Sequence, residues 1–164
     1  MATRNIVLDS DPLLRTKSKP VKEFDEKLWQ LLDDMYETMK QNYGAGIAAP
    51  QVGILKRVFI VDVNNLKFEF INPEITNMEG KCSDVEGCLS VKGIQGYVNR
   101  PTKITIKGYD RFENEYSLTA TNWLARAICH EYDHLNGIVF TDIMTEQYIQ
   151  KPKEYKTKKN KIKI

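Results

Sequence analysis

The sequence predicts an α+β fold in which antiparallel β-sheets pack around a central helix, with a further helix near the N-terminus. Two patterns support this prediction. Short β-rich runs separated by turn residues fill the middle of the chain, and apolar residues at helical spacing mark one segment before it and one after it. With 164 residues, the chain has the length of one ordinary domain.

The N-terminal helix is predicted over residues 25–42. Asp25 stands where an N-cap is expected, because a short acidic side chain can accept hydrogen bonds from the first free N–H groups of a helix. The apolar face that recurs with helical spacing comprises Leu28, Leu31, Leu32, Met35, Tyr36 and Met39.

The region between residues 57 and 118 is predicted to be largely antiparallel sheet. Its β-rich runs are RVFIVDV, FEFIN, KITIKGY and EYSLTA, and Asn, Gly, Pro and charged residues separate them. Nothing in this region has helical periodicity.

The central helix follows these strands. Thr119 or Thr121 is the expected cap, and a run through Ala120, Leu124, Ala127 and Ile128 continues to a stop at Asn136 and Gly137. The last turns of this helix contain the residues with the most distinctive chemistry.

Charge is distributed unevenly along the chain. Residues 151–164 contain seven lysines and one glutamate, a charge of +6, so the net charge of +2 leaves −4 for the remainder. We expect residues 1–150 to form one catalytic domain and residues 151–164 to form a mobile lysine-rich tail.

Composition and the N-terminus point to a cytoplasmic protein. Charged residues at 28% and hydrophobic residues at 41% are ordinary for a globular chain. No apolar run is long enough for a secretory signal or a membrane span. The three cysteines, Cys82, Cys88 and Cys129, therefore favour thiol chemistry or metal binding over a disulfide framework.

The central helix contains an H-E-x-x-H motif, formed by His130, Glu131 and His134. Two histidines four residues apart lie on one helical face and can share a metal ion. These are the two histidines of the chain, so a third ligand must be another residue type. The alternative is that the spacing is accidental and both rings are ordinary core or surface groups.

Cysteine is one candidate for the third ligand. Cys88 lies in the pentapeptide E-G-C-L-S, although a buried inert cysteine is the simpler reading. The metzincin pattern is excluded because Phe140 stands where its last histidine belongs. A thermolysin-like glutamate from a later helix is disfavoured because little chain remains after His134.

Three motifs together resemble the peptide deformylase family. They are G-x-G-x-A-A-x-Q at residues 44–51, E-G-C-L-S at residues 86–90 and H-E-x-D-H at residues 130–134, and the resemblance covers about residues 5–145. It implies a metal-dependent hydrolase that removes the formyl group from the N-terminal formylmethionine of new polypeptides and releases formate.

The resemblance also implies a set of site residues. Cys88, His130 and His134 would hold one divalent ion, Fe²⁺ in the cell, with Zn²⁺, Ni²⁺ or Co²⁺ as substitutes after purification. Glu131 would act as general base and then as acid, and Gln51 and the Leu89 backbone N–H would stabilise the oxyanion. Glu86 would pair with Arg100, as the corresponding positions do in relatives.

Substrate binding is expected at two places. Gly44, Ala45, Gly46 and Ile47, with the backbone near Glu86 and Gly87, would flank an extended peptide. Trp123, Arg126 and Ala127 precede His130 on the same helical face and are expected to line a methionine-sized pocket. The alternative is core packing of Trp123 and Ala127, with the charged head of Arg126 in water.

The chain departs from the family pattern at two points. Cys129 replaces the glutamine that many members carry before the first histidine, and the lysine tail replaces the long final helix of some members. A hydrogen bond at the first position and any role of that helix therefore do not transfer.

Two rival functions remain open on the sequence. One is an H-E-x-x-H peptidase that cuts internal bonds, and the other is a metal-stabilised RNA-binding or ribosome-binding module that uses the lysine tail. We expect a monomer without membrane contact, whose partners are the formylmethionyl ends of nascent chains and, transiently, the ribosome.

Overall fold

The computed structural model describes residues 2–150, so the predicted lysine tail lies outside the described residues. The helices and strands are α1 (Glu26–Gln41), β1 (Gly46–Ala48), β2 (Val58–Val63), β3 (Leu66–Glu79), β4 (Cys82–Cys88), β5 (Val91–Arg100), β6 (Lys103–Tyr109), β7 (Glu115–Thr121), α2 (Asn122–Leu135), α3 (Phe140–Ile143) and β8 (Glu146–Tyr148). Short 3₁₀ turns cover Pro12–Arg15 and Ala49–Val52.

Two antiparallel sheets form the β part of the fold. One has five strands in the order β1-β2-β3-β6-β7, and the other has three in the order β4-β5-β8. Helix α2 contacts strands of both sheets. The α+β prediction is therefore confirmed, with α2 at the centre.

Helix α1 forms where its periodicity predicts. The Asp25 side chain accepts a hydrogen bond from the Leu28 N–H at 3.1 Å, which confirms the cap. The apolar face of the helix packs against β2 and neighbouring segments around Ile47, Val58 and Ile60. Burying each of these side chains contributes roughly 1.5–3 kcal/mol.

Helix α2 ends as predicted but begins later. Asn136 is its C-cap, and Gly137 takes the left-handed conformation (φ 74). At the other end, Thr121 has the N-cap position without a side-chain hydrogen bond. Ala120, expected in the helix, lies in β7, because that strand continues to Thr121 and the chain turns at Asn122 (φ 53).

The main core lies between α2 and the five-stranded sheet. Phe59 and Phe70 are fully buried there with ring centroids 5.2 Å apart, and Tyr116 stacks on Phe70 at the same distance. A separate cluster around Leu14, Val98 and Phe140 packs against the three-stranded sheet. Helix α2 thus lies between the sheets, and its polar residues Arg126, His130, Glu131 and His134 are buried.

The described part of the chain contains no helix that is both long and apolar enough to cross a membrane.

Candidate active site

Helix α2 presents both histidines of its motif to one buried point. His130 and His134 lie one turn apart with ring centroids separated by 5.1 Å, and each is almost completely inaccessible to solvent. Glu131, between them, is also fully buried. The motif therefore faces the protein interior, where an ionised group requires a partner.

Cys88 reaches the same point from β4. A register shift between Glu86 and Cys88 interrupts the pairing of β4 with β5 at Gly87, and such bulges redirect the next side chain. The Cys88 Sγ atom lies 3.4 Å from Nε2 of His134. One ligand atom from each of Cys88, His130 and His134 lies within 4.8 Å of the others.

This group fits a divalent metal ion. Among the described residues, Nε2 of His130 and both carboxylate oxygens of Glu131 are buried without a hydrogen-bond partner, which is costly unless another group satisfies them. Two imidazoles and a thiolate suit zinc or ferrous iron. Burial holds the pKa of His134 well below its usual value, so its ring is neutral and able to donate a lone pair.

Glu131 is placed to exchange protons at this point. Burial raises the pKa of its carboxyl group to about 7. A group with a pKa near neutrality can both accept and return a proton under physiological conditions.

Behind His130, Glu86 forms a charged network. Its Oε1 accepts hydrogen bonds from His130 Nδ1 and Arg100 Nη2, both at 2.9 Å, and its Oε2 accepts from Arg100 Nε at 2.8 Å. Burial opposes ionisation of Glu86, but the bonds from Arg100 and His130 outweigh it and hold its pKa far below the usual range. Arg100 also donates to Asp133 at 2.6 Å.

Because Glu86 is ionised, it can accept hydrogen bonds but not donate them. His130 therefore donates from Nδ1, and in the neutral ring this leaves Nε2 free to bind a metal. The expected pairing of Glu86 with Arg100 is present in the structure.

Gln51 reaches the site from the 3₁₀ turn after β1. Its Oε1 accepts from the Ala48 N–H at 2.9 Å, and its Nε2 lies 3.4 Å from Cys88 Sγ and 3.2 Å from Ser90 Oγ. The fixed Oε1 orients the amide N–H₂ toward Cys88. The G-x-G-x-A-A-x-Q motif did not predict the contact of Gln51 with Ser90, because the two residues are 39 positions apart in the sequence.

The glycine-rich segment approaches the site closely. A Cβ atom at Gly46 would lie 2.5 Å from Glu131 Oε2, and one at Gly44 would lie 2.8 Å from Leu89 Cδ1. Leu89 itself is in the turn that follows Cys88. The segment contains β1, an edge strand of the five-stranded sheet that contacts α2.

The three predicted pocket residues of α2 differ in their surroundings. Trp123 and Arg126 line a cavity of about 250 Å³ that also includes Cys82, Asp84, Pro101, Thr102 and Asn122. Ala127 is fully buried in the main core. The head of Arg126 is not in water, because only 3% of the residue is exposed and its guanidinium binds Glu86.

The other two cysteines do not join the metal-binding group. All three cysteines are free, as expected. Burial raises the pKa of the Cys129 thiol to about 11, so it stays protonated at neutral pH. Cys82 is exposed at the start of β4.

The chain is similar in sequence to proteins of known family. A sequence model of the polypeptide deformylase family matches residues 3–149. The chain is 54% identical to a peptide deformylase of Caldicellulosiruptor bescii over 142 residues, covering 87% of this chain and 86% of the relative. It is 51% identical to a peptide deformylase of Alkaliphilus metalliredigens, covering 87% of this chain and 97% of the relative.

The fold has matching solved structures as well. The crystal structure of peptide deformylase from Thermotoga maritima superposes with a TM-score of 0.86 at 37% identity, covering 88% of this chain and 99% of that one. A peptide deformylase from Legionella pneumophila superposes with a TM-score of 0.85 at 39% identity, covering 88% of this chain and 87% of that one.

Proposed function

The chain belongs to the polypeptide deformylase family and hydrolyses the formyl amide of N-formylmethionyl peptides, and we propose that Cys88, His130, His134 and Glu131 form its catalytic centre. The observation that carries this assignment is the convergence of three buried ligand atoms beside a buried carboxylate. The H-E-x-x-H spacing alone would leave the third ligand open.

In this proposal Cys88 Sγ, His130 Nε2 and His134 Nε2 hold one divalent ion, Fe²⁺ in the cell. Zn²⁺, Ni²⁺ or Co²⁺ can occupy the same soft donor set after purification. When bound, such an ion polarises a carbonyl oxygen and lowers the pKa of water to about 7. Metal analysis of anaerobically purified protein tests the assignment to iron.

Glu131 is the proton carrier. With a pKa of about 7 from burial, its carboxylate takes a proton from the attacking water and then returns it to the leaving amine. The products are formate and a peptide with a free methionine amine. The same carboxylate thus serves as base and acid.

Gln51 and Leu89 stabilise the negative charge that develops on the formyl oxygen. The Gln51 side chain is held through its Oε1 by the Ala48 N–H, and its Nε2 would donate to the formyl oxygen in place of one of its contacts with Cys88 and Ser90. The Leu89 N–H follows Cys88 directly. A preorganised donor of this kind contributes about 2.7–4 kcal/mol to transition-state stabilisation.

The peptide binds between two edge strands. β1 and β4 are edges of different sheets. β1 approaches Glu131 through Gly46, and β4 approaches His130 through Glu86. An extended substrate would pair with residues 44–47 on one side and with the backbone of Glu86 and Gly87 on the other. Because backbone pairing does not depend on side chains, we expect the protein to accept many sequences after methionine.

The methionine side chain enters the cavity beside α2. Trp123 and the aliphatic stem of Arg126 line it, and a volume of about 250 Å³ accommodates one side chain of that size. Ala127, buried in the core beneath, keeps α2 close to the sheet.

The comparisons support the deformylase and not the internal peptidase. The decisive experiment measures formate release from formyl-Met-Ala-Ser by anaerobically purified protein, with Glu131→Ala and unformylated Met-Ala-Ser as controls. We expect formate from the parent alone and no cleavage of the unformylated peptide. Cleavage of that peptide, or no formate from the iron-loaded parent, contradicts the assignment.

We further propose that residues 1–150 are the catalytic domain and that residues 151–164 contact ribosomal RNA in the cytoplasm. The seven lysines of the tail suit phosphate binding by counterion release. Co-sedimentation with ribosomes at rising salt, with and without residues 151–164, tests this. Equal salt-dependent binding by both proteins would refute the tail contact.

A further inference from the structure

Arg126 lies one turn before His130 on α2, and both side chains bind the same carboxylate. Arg126 Nη1 donates to Glu86 Oε2 at 2.8 Å, while His130 Nδ1 donates to Glu86 Oε1 at 2.9 Å. Positions i and i+4 of a helix lie one above the other, so the two side chains reach Glu86 in parallel. Glu86 thereby connects the arginine to a proposed metal ligand.

The Glu86 carboxylate has no remaining acceptor site. A carboxylate offers about four lone-pair positions, and here two are occupied by Arg100, one by His130 and one by Arg126. The whole Glu86 side chain is inaccessible to solvent. All four donors to the buried carboxylate are therefore protein groups.

Arg126 also fixes the helix relative to the strands. Nη1 donates to the Val98 carbonyl and Nη2 to the Cys82 carbonyl, both at 2.9 Å, so one guanidinium bridges α2, β4 and β5. Arg100 lies within β5; its bonds to Glu86 stay inside the sheet, and its bond to Asp133 at 2.6 Å is a second link from the sheet to α2. The spacing between β4, which carries Cys88, and α2, which carries both histidines, thus depends on bonds such as those of Arg126.

We propose that Arg126 is a positioning residue for the metal centre, holding Glu86 against His130 and setting the distance between Cys88 and the two histidines. The proposal rests on the metal ligands assigned above. It gives the buried guanidinium of Arg126 a task in addition to the place of this residue in the cavity wall.

The test compares Co²⁺ binding by the full-length parent, Arg126→Met, Arg126→Lys and the control Arg111→Met. Arg111 is a matched control because it also donates three side-chain hydrogen bonds, to Glu69 and Asp33, away from the site. The readouts are the Co²⁺ dissociation constant by chelator competition and the ligand-field absorption spectrum of the bound ion.

We expect Arg126→Met to raise the dissociation constant about 10–100-fold and to alter the spectrum, as is typical when an outer partner of a ligand is lost. Arg126→Lys is expected between it and the parent, and Arg111→Met near the parent. The proposal is overturned if the Co²⁺ dissociation constant of Arg126→Met rises less than about threefold and its spectrum matches that of the parent. This holds whatever the unfolding temperature of the variant. If Arg126→Met does not fold, Arg126→Lys decides: a lysine variant with both the dissociation constant and the spectrum of the parent overturns the proposal.

A Cys88→Ser variant separates the two hypotheses. If Cys88→Ser binds Co²⁺ as tightly as the parent, the metal ligands themselves are wrongly assigned. If Cys88→Ser loses binding while Arg126→Met does not, only the role of Arg126 fails.

Discussion

The carboxylate of Glu131 packs directly against the backbone of Gly46, leaving no room for a side chain at that glycine. A Cβ atom there would lie 2.5, 2.9 and 3.0 Å from Oε2, Cδ and Cγ of Glu131. Gly46 belongs to edge strand β1, whereas Glu131 belongs to α2. The close approach of strand and helix therefore sets the position of the proposed catalytic base.

Gly46→Ala should displace Glu131 and lower kcat. A displacement of about 1 Å in a catalytic group typically costs about 100-fold in rate. Metal content should stay near that of the parent, because the three atoms nearest to the added Cβ all belong to Glu131 and none to a proposed ligand. Steady-state formate release and metal analysis measure the two effects. Gly93→Asn is the control, because a Cβ at Gly93 meets nothing within 4 Å and asparagine tolerates the positive φ found there.

Cys88→Ser should release the metal ion, because a serine hydroxyl is a poor ligand for zinc or ferrous iron at neutral pH. Loss of a residue that only hydrogen-bonds to a ligand typically lowers metal affinity about 10–100-fold. Loss of the ligand Cys88 itself is expected to lower it further. Dialysis followed by metal analysis is the measurement, and Cys82→Ser, at an exposed position, is the matched control. Full metal retention by Cys88→Ser would mean that another residue is the third ligand.

The sequence predicted the parts of the site that are encoded locally. Helix α1 was expected over residues 25–42 and spans Glu26–Gln41, because a strongly periodic apolar face and an aspartate cap determine it. His130, Glu131 and His134 could be recognised from spacing alone. Cys88 needed the resemblance to a family, since its proposed role as a ligand depends on a contact across 46 residues.

Other features left no local signal. Arg126 meets Glu86 across 40 residues, so helical spacing predicted Arg126 as a pocket residue but not its buried ion pair. β1 and β8 contain three residues each, which is too short for an alternating pattern. Their pairing is decided by the neighbouring strands β2 and β5.

Arg100→Ala should loosen metal binding and destabilise the fold. The substitution leaves Glu86 and Asp133 without their shared cation, and breaking a buried pair typically costs about 3–5 kcal/mol. His130 would then lose the fixed orientation of its partner carboxylate. Urea unfolding and metal analysis after dialysis measure both effects. Unchanged metal content would show that Glu86 holds His130 without help from Arg100.

Phe70→Ala should destabilise the protein by about 3–5 kcal/mol, because the substitution opens a cavity in the main core. Phe70 is fully buried, and its ring contacts those of Phe59 and Tyr116. Urea denaturation monitored by circular dichroism measures the change. Leu66→Ala is the control, since Leu66 is 56% exposed and its loss should cost little. A cost below about 1 kcal/mol for Phe70→Ala would mean that the core repacks.

Asp34 should make stability depend on pH in the acidic range. Burial acts to raise its pKa, but hydrogen bonds from the Ala2 N–H, the Gln30 amide and the Arg4 guanidinium outweigh it and lower the pKa. A carboxyl group with a depressed pKa in the folded state stabilises the fold fully above its unfolded value of about 3.9. That contribution disappears as the pH falls through the folded value.

Asp34→Asn removes this ionisation while keeping the shape of the side chain. The parent should therefore be more stable than Asp34→Asn by a constant amount between about pH 5 and 7, and the difference should shrink below about pH 4. Urea unfolding of both proteins at a series of pH values is the measurement. A difference that persists unchanged at the most acidic pH would mean that Asp34 acts through its shape and neutral hydrogen bonds. The N-terminal segment would then be held to α1 by hydrogen bonds that do not require the negative charge of Asp34.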